Sequence, residues 1–99
     1  MTGMAEYLFL MHDDANPDDA AWEPYLRGLR QSGCFDGGSE VGDGVCVRKD
    51  GTYRSVTPRL AGYIRVRAGS LDEAKSLLVG NPVFEAGGTV EIRELPPSP

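Results

Sequence analysis

Every position from Tyr7 to Met11 is apolar (Tyr7-Leu8-Phe9-Leu10-Met11). The run is strand-sized and far short of the roughly 20 residues needed to span a bilayer. On a strand successive side chains alternate, so Leu8 and Leu10 make one face and Tyr7, Phe9 and Met11 the other. A strand that is apolar on both sides is usually covered on both sides. The chain has 99 residues, and a domain of that size buries roughly 60–65% of the surface its unfolded form exposes. Two helices at this length can cover only one face of a sheet. The other face then calls for a second copy, and a homodimer is expected.

The remaining elements follow in order. Asn16-Pro17-Asp18-Asp19 reads as a helix start, with a polar cap, an early Pro and acids in the first turn. Trp22, Leu26 and Leu29 continue at helical spacing, with Tyr25 beside them. Pro24 requires the regular helix to begin near Ala21 or to kink. Ser32-Gly33 ends it, with Gly as a left-handed cap. Cys34 to Val41 is a Gly-rich strand or extended turn. Val45–Lys49 and Thr52–Val56 flank Asp50-Gly51 as a hairpin, and Pro58 marks a break. Ala61–Ala68 alternates, with Ile64, Val66 and Ala68 on one face and Tyr63, Arg65 and Arg67 on the other. Ser70-Leu71-Asp72-Glu73 is a capping box opening a second helix. That helix has the apolar stripe Leu71, Ala74, Leu77 and Leu78 and ends near Gly80-Asn81-Pro82. Thr89–Leu95 is the last strand, with Val90 and Ile92 facing one way and Glu91 and Arg93 the other. Residues 96–99 form a frayed tail.

Strand, helix, strand or hairpin, strand, helix, strand, with two helices on one face of an antiparallel sheet, is a ferredoxin-like α+β fold. One domain over residues 1–99 is expected, since 40% hydrophobic and 25% charged residues is ordinary globular composition. The net charge of −5 disfavours nucleic acid, whose phosphates reward clustered Lys and Arg. No basic region followed by an apolar one opens the chain, so no signal peptide and no membrane partner are expected. Cys34 and Cys46 form no CxxC, and reduced thiols in a cytoplasmic protein are the simplest reading.

Several segments together resemble the YCII-related and DGPF-type proteins, small bacterial members of the dimeric α/β-barrel superfamily. They are Tyr7–Met11 leading to an acidic turn, the Trp22/Tyr25/Leu29 helix ending at Ser32-Gly33, and Gly37-Gly38-Ser39. Later come Leu60-Ala61-Gly62-Tyr63, Ser70-Leu71-Asp72-Glu73-Ala74, Asn81-Pro82 and Val90-Glu91-Ile92-Arg93-Glu94-Leu95. The resemblance spans about residues 5–95 and implies a homodimer in which two sheets form one barrel. Two departures bear on function. The acidic stretch that names the DGPF branch is shortened here to Asp50-Gly51-Thr52-Tyr53-Arg54-Ser55-Val56-Thr57-Pro58-Arg59. The YCII branch is thought to pair an Asp after the first strand with a His on the first helix. Asp13 or Asp14 fits the Asp position, but that helix holds no His.

Two clusters carry chemistry. His12-Asp13-Asp14 closes the first strand, and its catalytic reading is an acid/base group acting on a small carbonyl or lactone compound. Neighbours on a strand face apart, so His12 pairs with Asp14 only if the strand continues. The plain alternative is an acidic turn into the helix. Tyr63, Arg65 and Arg93, with Arg67 and Glu91, form a second cluster. Its binding reading is an anion pocket in which Arg grips a carboxylate. The plain alternative is a cross-strand Arg–Glu ladder at an interface. No metal motif, Gly-rich phosphate loop or nucleophile elbow occurs, and no cofactor is expected. The expected function is small-molecule binding with lyase- or isomerase-like acid/base activity. The alternative is a non-catalytic dimeric module that binds or regulates another protein.

Overall fold

In a computed structural model, residues 4–52, 56 and 59–97 are described. The apolar segment near the N-terminus forms β1 (Ala5–His12), which lies inside a four-stranded antiparallel sheet. Its neighbours are β2 (Phe35–Glu40), β3 (Leu60–Ala68) and β4 (Val90–Leu95), in the order β2-β3-β1-β4. Among the described residues three α-helices accompany the sheet: α1 (Trp22–Gln31), α2 (Leu71–Ser76) and α3 (Pro82–Glu85). This is an α+β architecture compatible with the ferredoxin-like class.

The two sides of β1 meet different surroundings. Tyr7, Phe9 and Met11 are buried and stand opposite Val66, Ile64 and Gly62 of β3. On the other flank they stand opposite Glu94, Ile92 and Val90 of β4. Tyr25 and Leu29 of α1, Ala74 of α2, Leu78 and Val83 close over that face as the core. Leu8 and Leu10 point to the opposite face and are half-buried. Ile64, Val66 and Ala68 face the core, and Val90 and Ile92 pack against it, as the alternation predicts.

Helix starts and stops are local. Asp18 caps a 3-10 turn (Asp19–Ala21) by accepting from the Ala20 N–H at 3.0 Å. The regular helix begins at Trp22, which leaves Pro24 in the first turn, where no hydrogen bond is lost. Gly33 follows the helix at φ +77°, the left-handed conformation a Gly adopts without steric cost. Ser70 accepts from the Glu73 N–H at 3.1 Å. The Glu73 carboxylate reaches back to the N–H of Gly69, one residue before the cap.

Three expectations change. Asn81-Pro82, read as a helix stop, starts α3 instead. The buried Asn81 accepts from the Val83 and Phe84 N–H groups at 3.0 and 3.1 Å, and Pro82 sits at the first helical position. A cap residue followed by Pro serves equally as an end or a beginning. The second helix stops sooner, at Ser76, and Leu71, at its first position, is 48% exposed rather than in the core. Val45–Lys49 joins no strand. The Asp50-Gly51 turn forms, with Gly51 at φ +78° and its N–H donating to the Arg48 carbonyl at 3.0 Å. Its Gly-rich approach through Gly42 and Gly44 has few side chains to pack a ladder. Most of the expected second arm (Thr52–Val56), Pro58 and the end of the tail lie outside the described residues.

Tyr25 locks α1 onto the end of α2. Its hydroxyl donates to the Leu77 carbonyl at 2.8 Å, where α2 has ended. Burial pushes its pKa up to about 12, against a smaller opposing effect of the Asn81 side chain. A raised folded-state pKa means the contribution is complete below pH 10 and is lost as pH rises towards 12. Urea unfolding of wild type and Tyr25→Phe from pH 8 to 12 should therefore differ in slope. Wild type is expected to lose about 2 kcal/mol more than Tyr25→Phe between pH 10 and 12. Parallel profiles would show that the phenol does not sense the fold.

Candidate functional site

The face of the sheet away from the helices carries the chemistry. On β1 it presents Glu6, Leu8, Leu10 and His12. The register places Leu8 between Arg65 and Arg93, and Leu10 between Tyr63 and Glu91. Glu6 lies between Arg67 and Leu95. The result is an apolar centre of Leu8, Leu10, Tyr63 and Leu95 framed by charges.

His12 sits where the β1–β3 register shifts: Met11 pairs with Gly62 but His12 with Leu60. A bulge of this kind bends the ladder locally and re-aims the side chain beside it. The His12 N–H stays tied to the Thr89 carbonyl at 2.9 Å. The imidazole Nε2 lies 3.2 Å from Glu91 Oε1. Glu91 also accepts from Arg93 Nη1 at 3.0 Å. The bond from Arg93, and then that from His12, hold the Glu91 carboxyl below the usual carboxylate range. An ionised carboxylate only accepts, so the proton of a neutral His12 belongs on Nε2 and the basic lone pair on Nδ1. Side-chain exposures of 20% for His12 and 38% for Glu91 leave the pair reachable.

The residues next to His12 do other work. Asp14 accepts from the Thr89 N–H at 2.9 Å and from Thr89 Oγ1 at 2.6 Å. These bonds lower its pKa and tie the exit of β1 to the approach of β4. Asp13 is exposed, with its backbone N–H donated to the Arg59 carbonyl. The hydrogen-bonding partner of His12 is thus Glu91, 79 residues away, and not Asp14.

Tyr63, Arg65, Arg67, Glu91 and Arg93 share the open face, and each arginine has a carboxylate. Arg65 Nη2 lies 3.0 Å from Glu6 Oε2, and its Nε 4.0 Å from Asp36 Oδ2. Arg67 Nη2 lies 3.4 Å from Asp36 Oδ1, and Arg93 pairs with Glu91. The matched charges lie on all four strands, the Arg65 and Arg67 pairs crossing β1, β2 and β3 and the Arg93–Glu91 pair lying within β4. Half-exposed pairs of this kind contribute about 0–1 kcal/mol each.

A separate cleft of about 480 Å³ opens on the helix side, lined by Pro24, Tyr25, Gly28, Leu77, Val79 and Gly80 among others. None of the residues discussed above as catalytic or ligand-binding lines it. Among the described residues no three His, Cys, Asp or Glu side chains are grouped to hold a metal ion, and no helix is long and apolar enough to cross a membrane. Cys34 is buried and Cys46 exposed, and they form no disulfide with each other.

The Glu91 contact was the piece that sequence reasoning missed. Alternation places Glu91 on the open face, but only the Leu10–Glu91 register brings it beside His12. Compared with known proteins, the chain matches no family model and no curated protein.

Proposed function

We propose that this protein is a YCII-type homodimer in which the open sheet faces of two copies stack, closing a dimeric α/β barrel around a small-molecule site. His12 is the proton-transferring group of that site, and Glu91 orients it. The observation that carries the reading is the His12–Glu91 pair on the sheet face that none of the described helices covers. A carboxylate that fixes the imidazole tautomer leaves the second ring nitrogen ready to take a proton from a bound carbonyl compound. An open sheet encloses nothing by itself, and a second sheet about 10 Å away would exclude water from His12. Two cysteines with no CxxC spacing fit a reducing compartment, and the cytoplasm is the proposed location.

The charge ladder favours a second reading, a dimeric module without catalysis. Its matched arginines leave no vacant anion clamp at Arg65 or Arg93.

One experiment separates the two. Small carbonyl and lactone fragments are titrated into the ¹⁵N-labelled protein while the His12 ring nitrogens are followed by NMR, in wild type and Glu91→Gln. The enzyme reading expects an Nε2–H tautomer in wild type, a mixed tautomer in Glu91→Gln, and fragments that shift the His12 ring. Fragments that leave the ring unmoved, with tautomers alike in both proteins, would favour the module.

A further inference from the structure

We infer that Asp14 and Thr89 are positioning residues for the His12–Glu91 pair, clasping together the two strand ends that carry it. This deepens the proton-transfer reading proposed above and rests on it. His12 stands where regular pairing gives out on both flanks. Towards β3 the register slips between Met11 and His12. Towards β4 the pairing ends at Met11 and Val90. A backbone bond continues beyond that point, from the His12 N–H to the Thr89 carbonyl at 2.9 Å. In a regular antiparallel pair Thr89 would return the bond, donating its N–H to the His12 carbonyl. That N–H goes instead to Asp14 Oδ1 at 2.9 Å, and Thr89 Oγ1 donates to Asp14 Oδ2 at 2.6 Å. A side-chain carboxylate thus takes the place of a ladder carbonyl and adds a second, charge-assisted bond.

The connectivity ties this clasp to the pair. Asp14 lies two residues after His12, and Thr89 two residues before Glu91. With the His12–Glu91 contact at 3.2 Å, the two segments close into a ring. Opening the ring at Asp14 and Thr89 leaves the backbone bond from His12 to Thr89 to hold β1 against the approach of β4. Gly88 is what lets that approach run so close. A Cβ there would lie 3.0 Å from Asp14 Oδ1, 2.9 Å from Ala15 Cβ and 2.7 Å from Val83 Cγ1, so a side chain would push the two segments apart.

NMR of the protein without added ligand tests this, following the His12 ring nitrogens near pH 8 and the Glu91 carboxyl carbon from about pH 3 to 6. Wild type is expected to hold the Nε2–H tautomer, with Glu91 titrating below the ordinary carboxylate range. Thr89→Val removes the hydroxyl without changing any charge. It should give a mixed tautomer and raise the proton affinity of Glu91 about threefold, towards the lower end of what one hydrogen bond contributes. Thr89→Ser keeps the hydroxyl and should match wild type. Asp14→Ala loses both bonds and should exceed Thr89→Val, and adding Thr89→Val to it should change nothing further, because both act on one clasp. Far-UV circular dichroism should be the same in all five proteins. A Thr89→Val protein whose His12 and Glu91 signals match wild type overturns the clasp and leaves the His12–Glu91 pair standing, as does a Thr89→Ser protein that behaves like Thr89→Val. A wild type with a mixed tautomer overturns the proton-transfer reading and the clasp together.

Discussion

Leu10→Arg is expected to yield a folded monomer of 10.7 kDa where the proposed wild-type dimer would sediment at twice that mass. Leu10 stands on the open face between Tyr63 and Glu91 and is half-buried by its neighbours in one chain. In the monomer an arginine there can lay its stem along the sheet and keep its guanidinium in water, near the Glu91 carboxylate. The thermal midpoint should therefore move little. In the stacked dimer the same charge lies between two sheets. Glu91 already accepts from both His12 and Arg93, so it is a poor partner for a further cation. An inadequately paired buried charge costs about 3–5 kcal/mol, which weakens the dimer by two to three orders of magnitude or more. Sedimentation equilibrium reads the mass and circular dichroism reads the fold. A variant that dimerises as tightly as wild type would show that the open face is not the interface. The small-molecule site proposed between the sheets would then have no roof.

What was legible in the sequence divides along a physical line. Signals whose parts lie within a few residues of one another were readable. The first-turn Pro24, the Gly33 stop and the Ser70/Glu73 box each depend on one turn of backbone, and each is present; the helix entry read at Asn16-Pro17 begins slightly later, with Asp18 as the cap and Pro17 outside the helix. Alternation along a single strand was readable too, so the inward set of β3 and β4 could be named. Asn81-Pro82 misled because the same two residues suit the end of one helix and the beginning of another. The loop after β2 was obscure because its glycines carry no face. The candidate site was half-legible. That Tyr63, Arg65 and Arg93 share a face follows from parity within strands. That Arg65 and Arg67 meet Glu6 and Asp36, and that His12 meets Glu91, depends on the register between strands 30 to 80 residues apart, whereas Arg93 meets Glu91 within its own strand. Register is set by how the buried sets Tyr7/Phe9/Met11 and Ile64/Val66/Ala68 interlock under the helices. A cluster assembled by neighbours in sequence, such as His12-Asp13-Asp14, is drawn apart by the same rule. Asp14 is taken by Thr89, and His12 by Glu91.

Phe9→Ala should produce the opposite phenotype one residue away. Phe9 has no exposed surface and faces Ile64 and Ile92 from the middle of the central strand, beneath the helices. Removing its ring loses the transfer energy and leaves a cavity that a sheet paired on both edges of β1 cannot collapse to fill. Such truncations cost about 3–5 kcal/mol. A domain of this length has a total stability of roughly 5–15 kcal/mol, with the smallest cores at the lower end. Urea denaturation followed by circular dichroism should show the midpoint fall by half or more, or no folded baseline at all. Because the lesion is in the monomer's own core, raising protein concentration should recover only what dimerisation adds by mass action. For Leu10→Arg the fold is expected to stay intact at every concentration, with only the proposed assembly lost. The two variants thus assign the two faces of one apolar strand separately. If Phe9→Ala cost less than about 1 kcal/mol, the helices would not be packed on that face, and the open face identified here would be the wrong one.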